Sequence, residues 1–314
     1  MNDTIVRIRQ EIGKIIIGKN EVISKVLMAI LASGHVLLED VPGVGKTTLT
    51  LAFAKTLGLE TKRVQFTSDS VPSDIIGFSI YDKRVDDFIY KPGAVMTNML
   101  LADEINRTSS KTQSALLEAM EEGGVTVDGI THPLPSPFFV LATQNPVGSA
   151  GTQLLPNSQL DRFIIRVSMG YPDLHSQVDI MRDRHKINPL VNITGVLDRD
   201  RLLETIDRAA DVFIADAVYD YIANLIHESR SHPMVQLGVS PRGGLALCRM
   251  AKAAAFVSGR DYVIPEDVAD VLPDVCCHRL VLNAKARFSE MSEPDIIKDI
   301  LANVKMPVLK DIRL

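Results

Sequence analysis

A short apolar run, residues 36–39, delivers the chain into Asp40-Val41-Pro42-Gly43-Val44-Gly45-Lys46-Thr47-Thr48, after which Leu49, Phe53 and Leu57 recur at helical spacing. A strand that passes through a glycine-rich turn straight into a helix is a βα unit, and such units build parallel sheets covered by helices. The turn also suits one ligand chemistry. Glycines let backbone N–H groups converge on phosphate oxygens, the helix amino terminus adds positive potential, Lys46 reaches the terminal phosphates and Thr47 offers a hydroxyl to Mg2+. Asp40 stands where the usual pattern has its first glycine, so on these residues alone a plain structural turn remains the alternative.

Further apolar runs at 63–66, 99–102, 138–143 and 164–167, with helical or irregular segments between them, predict a five-stranded parallel sheet in a three-layer α/β core. An amphipathic helix carrying Ile5, Ile8, Ile12 and Ile15, then a helical stretch over 21–32, precede the first strand. After Tyr171-Pro172-Asp173 the strand signal fades. Leu174, Val178 and Met181, then Val218, Ile222 and Leu225, then Leu247, Met250 and Ala254 show helical spacing, so residues 1–171 are expected as the α/β core and 172–314 as a small all-helical domain. A length of 314 residues agrees with two domains, and 46% hydrophobic against 23% charged residues excludes a largely disordered chain.

A net charge of -5 gives no global attraction to nucleic acid or to an anionic membrane. Three cysteines build no disulfide framework, the amino-terminal residues lack the pattern of a secretory signal, and no apolar run approaches the eighteen or so residues of a membrane span. The expectation is a cytoplasmic protein without membrane insertion. Cys276-Cys277-His278 lacks a second ligand pair for zinc, and His35 reads as packed or hydrogen-bonded.

The run 99–102 ends in Asp103-Glu104, the arrangement expected of a Walker B element: Asp103 as a Mg2+ ligand, Glu104 to orient and polarise the attacking water. By themselves two acidic residues also simply cap a strand at its solvent end. The run 138–143 ends at Gln144-Asn145-Pro146, placing the Asn145 amide at the carboxyl edge of the sheet, within reach of a γ phosphate or the attacking water. Asn before Pro is equally a common start of a turn. Arg162 precedes the fifth strand, and Arg242 lies in the first turn of a helix capped by Ser240 with Pro241 at its first position. Taken singly, each arginine reads as a surface or salt-bridge residue.

In this order the elements resemble the MoxR family of AAA+ ATPases, in its helix-2-insert branch. The resemblance covers nearly the whole chain and is carried by Ile17-Gly18-Lys-Asn-Glu-Val-Ile23, by Glu39 through Thr47, by Asp103-Glu-Ile-Asn-Arg107, by the run from Lys111 to Glu122 and by Ala142-Thr-Gln-Asn-Pro146. It implies that Ile17 and Gly18 contact adenine, that residues 41–48 hold the phosphates of ATP, that Thr47 and Asp103 hold Mg2+, and that Asp40 is a tolerated family variant. It further implies Asn145 as sensor 1, Arg162 as an arginine finger for a neighbouring subunit, Arg242 as sensor 2 and a ring, usually a hexamer. Arg107 is left open between a subunit contact and a surface position.

Residues 73–93 read as two strand-like arms around a polar tip, and 123–133 as a hairpin turning at Asp128-Gly129. In related machines such hairpins point into the ring's pore. The reading that follows is ATP-driven, chaperone-like remodelling, maturation or cofactor and metal insertion of client proteins, with a von Willebrand factor A domain protein as an expected partner, since the chain lacks Asp-x-Ser-x-Ser. The rivals are a nucleic-acid motor or loader and a non-hydrolysing nucleotide-dependent scaffold. Lys83, Arg84 and Lys91 against Asp74, Asp82, Asp86 and Asp87 leave the insert without the basic excess that the first rival needs.

Overall fold

The structure, a computed structural model, describes residues 3–40, 43–145, 155–183 and 189–308. Helix α1 (Asp3–Gly13) buries Ile5, Ile8 and Ile12, as their spacing predicts, whereas Ile15 is buried beyond the helix end. Then come α2 (Asn20–Leu31), β1 (His35–Glu39), α3 (Lys46–Thr56) and β2 (Thr61–Gln65). A short α4 (Pro72–Ile76) leads into β3 (Gly77–Asp82) and β4 (Asp87–Pro92), followed by β5 (Met99–Asp103) and α5 (Ser110–Glu122). The core is completed by β6 (Gly124–Val127), β7 (Ile130–Pro133), β8 (Phe139–Gln144), α6 (Asn157–Leu160) and β9 (Phe163–Val167).

The five apolar runs form one parallel sheet in the order β2-β5-β8-β1-β9. Side chains alternate between its faces. Val36, Leu38, Met99, Leu101, Phe139 and Leu141 join one apolar layer with α1, α2 and α3, while Leu37, Leu100, Ala102, Val140 and Ala142 join another with Leu116, Leu117 and Met120 of α5. Because both faces of the central strands are covered, β5 and β8 are buried along their whole length and read as near-unbroken apolar runs, whereas the edge strand β2 has no fully buried residue.

The two predicted hairpins both form. Strands β3 and β4 pair in register from Gly77 opposite Pro92 to Asp82 opposite Asp87, and a Cβ on Gly93 would lie 2.2 Å from the Ile75 carbonyl, so the base of this hairpin closes only around glycine. Asp128 (φ 52°) and Gly129 (φ 80°) both adopt the left-handed region, the turn that matches the twist of a tight hairpin. Tyr90 and His132 stack face to face with ring centroids 3.8 Å apart, joining one hairpin to the other.

Beyond β9 the chain is helical: α7 (Leu174–Asp183), α8 (Arg199–Ala210), α9 (Asp216–Ser231), α10 (Pro241–Val257), α11 (Pro265–Cys276), α12 (Ala284–Phe288) and α13 (Glu293–Asn303). One antiparallel ribbon interrupts it, β10 (Val235–Leu237) with β11 (Val281–Leu282), too short to leave a periodic signal. The spaced apolar residues of α9 and α10 are buried as expected. Those of α7 differ: Leu174 is 84% and Met181 60% exposed, so this helix turns its apolar residues to solvent rather than into the core. Cys276 and Cys277 are buried packing residues whose thiols burial pushes up to about 12 and about 11. Among the described residues, no helix is long and apolar enough to cross a membrane.

Candidate active site

Parallel strands present their carboxyl ends at one edge of the sheet, and there Gly43, Gly45, Lys46, Thr47, Thr48, Asp103, Glu104 and Asn145 line a single cavity of about 360 Å³. Gly43 (φ 87°) and Gly45 (φ 99°) are left-handed, a conformation that turns successive backbone N–H groups into an anion-binding concavity. Burial pulls the Lys46 ammonium below its ordinary value against the opposing charges of Asp40, Asp103 and Glu104, and its Nζ donates to the Asp40 carbonyl at 2.9 Å. Val41 and Pro42, expected in the same loop, lie outside the described residues.

Thr143 of β8 fixes both acidic residues. Its hydroxyl donates to Asp103 Oδ1 at 2.6 Å and accepts the Glu104 N–H at 2.9 Å. Glu104 itself adopts φ 58° and ψ 47°, a backbone conformation costing roughly 1–2 kcal/mol for a side-chain-bearing residue, of the kind found at functional sites. Its carboxylate pairs with Arg107 Nε at 2.9 Å, which gives Arg107 a contact that the sequence left open. Arg63 and Gln65 of β2 also line the cavity, and the Arg63 Nη2 meets Asp103 Oδ2 at 2.7 Å. Neither was legible beforehand: an arginine in a strand carries no spacing signal. Carboxylate and hydroxyl oxygens beside a lysine and a glycine-turned loop are the donor set that Mg2+ and a polyphosphate require.

A second cavity of about 230 Å³ adjoins the loop and is lined by Ile16, Ile17, Lys19, Val44, Met169, Tyr171, Pro172 and Ile180 among others. Ile17, which the resemblance puts at adenine, lines this second cavity, and so does Val44, which the resemblance puts among the residues holding the phosphates and which does not line the first cavity. Gly18 (φ 73°) instead packs against Ser176, whose Oγ would lie 2.2 Å from a Cβ there.

Asp40 has a structural assignment. Its carboxylate accepts from Ser168 Oγ at 2.9 Å, from the Gly170 N–H at 3.0 Å and from the Met169 N–H, tying the phosphate loop to the segment that leaves β9. A glycine would leave the buried Met169 N–H unmet, and would give up the bonds to the part-buried Gly170 N–H and to the hydroxyl of exposed Ser168.

The arginines lie elsewhere. Arg162 stands just before β9, hence at the amino edge of the sheet, and pairs through Nη2 with Glu121 Oε2 at 2.9 Å. Arg242, expected at the phosphates, is beside it: its Nη1 meets Glu121 Oε1 at 2.9 Å. Neither lines the phosphate cavity, and a five-residue strand of roughly 15 Å separates the two edges. The pair is held in place by Asp161, which accepts from Ser240 Oγ at 2.8 Å and from Arg279 Nε at 2.7 Å, while Arg279 also donates to the Phe163 carbonyl at 2.7 Å. Arg279 is 5% exposed and ties the helical region to the sheet; nothing in the residues around it marked it.

This is a nucleotide-binding α/β core followed by a helical region that grips the amino edge of its sheet. Residues 35–165 match the family described as ATPase family associated with various cellular activities (AAA), and residues 227–300 match the AAA lid domain. The chain is 47% identical over 299 residues to the uncharacterized protein YeaC of Bacillus subtilis, covering 95% of this chain and 93% of that protein. It is 41% identical over 313 residues to Chaperone MoxR1 of Mycobacterium tuberculosis, covering 97% and 82%. A crystal structure of a Cytophaga hutchinsonii protein assigned to the ATPases superposes with a TM-score of 0.90 at 38% identity, over 98% of this chain and 96% of that one. The chain belongs to the MoxR family of AAA+ ATPases.

Proposed function

We propose that the chain hydrolyses ATP at a site shared between two copies and uses the energy to remodel client proteins, with residues 1–171 as the core and 172–314 as the lid. The observation that carries this reading is the separation of parts: loop, Asp103, Glu104 and Asn145 at one edge of the sheet, Arg162 and Arg242 at the other. In such a site Lys46 and the loop hold the phosphates, Asn145 offers an amide at the γ position, and Glu104, aimed by Thr143, orients the attacking water. Thr47 and Asp103 would hold Mg2+, which would neutralise charge on the β and γ phosphates. Arg162 and Arg242 reach a neighbour's nucleotide, where an arginine contributes roughly 10³ to 10⁵ in rate. Hydrolysis then depends on assembly into a closed ring, a hexamer in the family reading.

A protein client is supported by the insert hairpin, where Phe78, Tyr81 and Phe88 are about half exposed or more and the Arg84 charge is spent on Asp82 at 2.7 Å. Exposed aromatic residues on an insert whose Lys83, Arg84 and Lys91 are outnumbered by Asp74, Asp82, Asp86 and Asp87 suit a polypeptide better than a phosphate backbone. The name of the Mycobacterium relative, a chaperone, agrees, and cofactor or metal insertion is one form such remodelling takes. The test is ATPase rate per subunit against protein concentration, with binding of a fluorescent ATP analogue measured alongside. The reading expects a steep rise with concentration, loss of binding in Lys46→Ala, and retained binding with a rate 10² to 10⁴ lower in Glu104→Gln; a concentration-independent rate contradicts it.

A further inference from the structure

Arg162 comes from the core and Arg242 from the helical region, 80 residues apart by their numbering, yet both end on one carboxylate, each on its own oxygen of Glu121. Two guanidinium groups this close repel unless an anion lies between them. The surroundings add to the excess, since burial and the charges of Arg242 and Arg279 depress Arg249 from its ordinary value. The Glu121 contact uses one nitrogen of each arginine, while each guanidinium carries five N–H donors. Arg162 Nε is buried and has no hydrogen-bond partner among the described residues. Donor capacity therefore remains on a patch whose members stay open to solvent: Arg162 at 27%, Glu121 at 39% and Arg242 at 41% side-chain exposure.

The position of Glu121 is itself fixed. His35 Nδ1 accepts the Val140 N–H at 3.0 Å, so Nε2 carries the proton and donates to the carbonyl of Met120, the residue before Glu121, at 3.2 Å. From the other side Asp161 bonds the Ser240 cap of the helix carrying Arg242 and lies next to Arg162 in the chain. The carboxylate is thus anchored through His35 and both arginines through Asp161.

We propose that Glu121 is a positioning residue for phosphoryl transfer: it gathers Arg162 and Arg242 into one two-arginine clamp, formed before assembly, that is presented to the triphosphate of a neighbouring copy. This rests on the two-copy site proposed above. An incoming γ phosphate meets N–H donors already in place and takes up the donors Glu121 leaves unused, so the arginines lose little freedom at that step.

The test pairs Glu121→Gln, which keeps size and removes charge, with Glu121→Asp, which keeps charge and shortens the reach. Both are expected to bind ATP within about twofold of wild type, because the phosphate cavity is at the other edge; kcat falls about 10- to 100-fold in the Gln variant and less in the Asp variant, with KM little changed. Mixing Glu121→Gln with Glu104→Gln subunits is expected to restore hydrolysis, since one supplies an intact catalytic edge and the other an intact clamp. Wild-type kcat in both variants overturns the proposal. So does a loss that mixing leaves unrestored while Arg162→Ala mixed with Glu104→Gln recovers, because Glu121 then acts in its own subunit. Failure of both mixtures overturns the two-copy site and the clamp with it.

Discussion

At Asp40 a pattern and a structure give opposite expectations. The phosphate-loop pattern has glycine there, so Asp40→Gly ought to be neutral; the carboxylate's three acceptor contacts to Ser168, Met169 and Gly170 say otherwise. Leaving the buried Met169 donor unmet costs about 1–3 kcal/mol, which urea denaturation without nucleotide will register, and Asp40→Gly is expected to show the loss as fully as Asp40→Ala. An unchanged midpoint in the glycine variant would contradict the assignment. The residues whose chemistry was legible in the sequence, Lys46, Thr47, Asp103 and Glu104, are those whose role follows from a short local pattern. Thr143, Glu121, Asp161 and Arg279 were not, because each works through partners 39 to 121 residues away.

Whole elements were easier to foresee than their partnerships. The strands were visible as apolar runs because burial on both faces removes the alternation that would otherwise confuse them with exposed strands, and the tight hairpin was visible because Asp128-Gly129 is a left-handed turn pair. Helix α7 was visible as a helix but not as an exposed one: periodicity tells which residues share a face, not what lies against it. Two predictions belong at this scale. Burial, with the charges of Arg249 and Arg242 beside the ring, lowers His35 from 6.5 to about 4, so the unfolded chain takes the proton first and stability falls as pH drops from about 6.5 towards 4. Comparing pH 7.5 with pH 5, wild type is expected to lose about 1–2 kcal/mol more than His35→Gln, whose amide can make both hydrogen bonds without titrating. An equal loss in both proteins would remove His35 from the account. Tyr90→Ala deletes the stack on His132 and the 2.6 Å hydrogen bond to the Ile76 carbonyl; both hairpin tips, 83–86 and 128–129, are expected to become protease-sensitive together. Sensitivity confined to the first tip would show that the hairpins move independently.

For the whole molecule, the parallel sheet decides the outcome. It collects the described residues that line the cavity at the glycine-rich loop at its carboxyl edge and leaves Arg162, Arg242 and Glu121 at its amino edge, and the bonds of Arg279 and Ser240 to Asp161 hold the helical region in that arrangement. In the proposed function these are two halves of one site facing in opposite directions, so the central claim is that activity requires two copies. The most direct measurement mixes Glu104→Gln with Arg162→Ala subunits, each inactive alone, and follows ATP hydrolysis as their ratio is varied. In equal parts about a quarter of the interfaces in a closed ring combine an intact catalytic edge with an intact arginine edge, so substantial activity returns and peaks near that ratio. Activity that stays at the sum of the two inactive proteins at every ratio would contradict a site shared between copies.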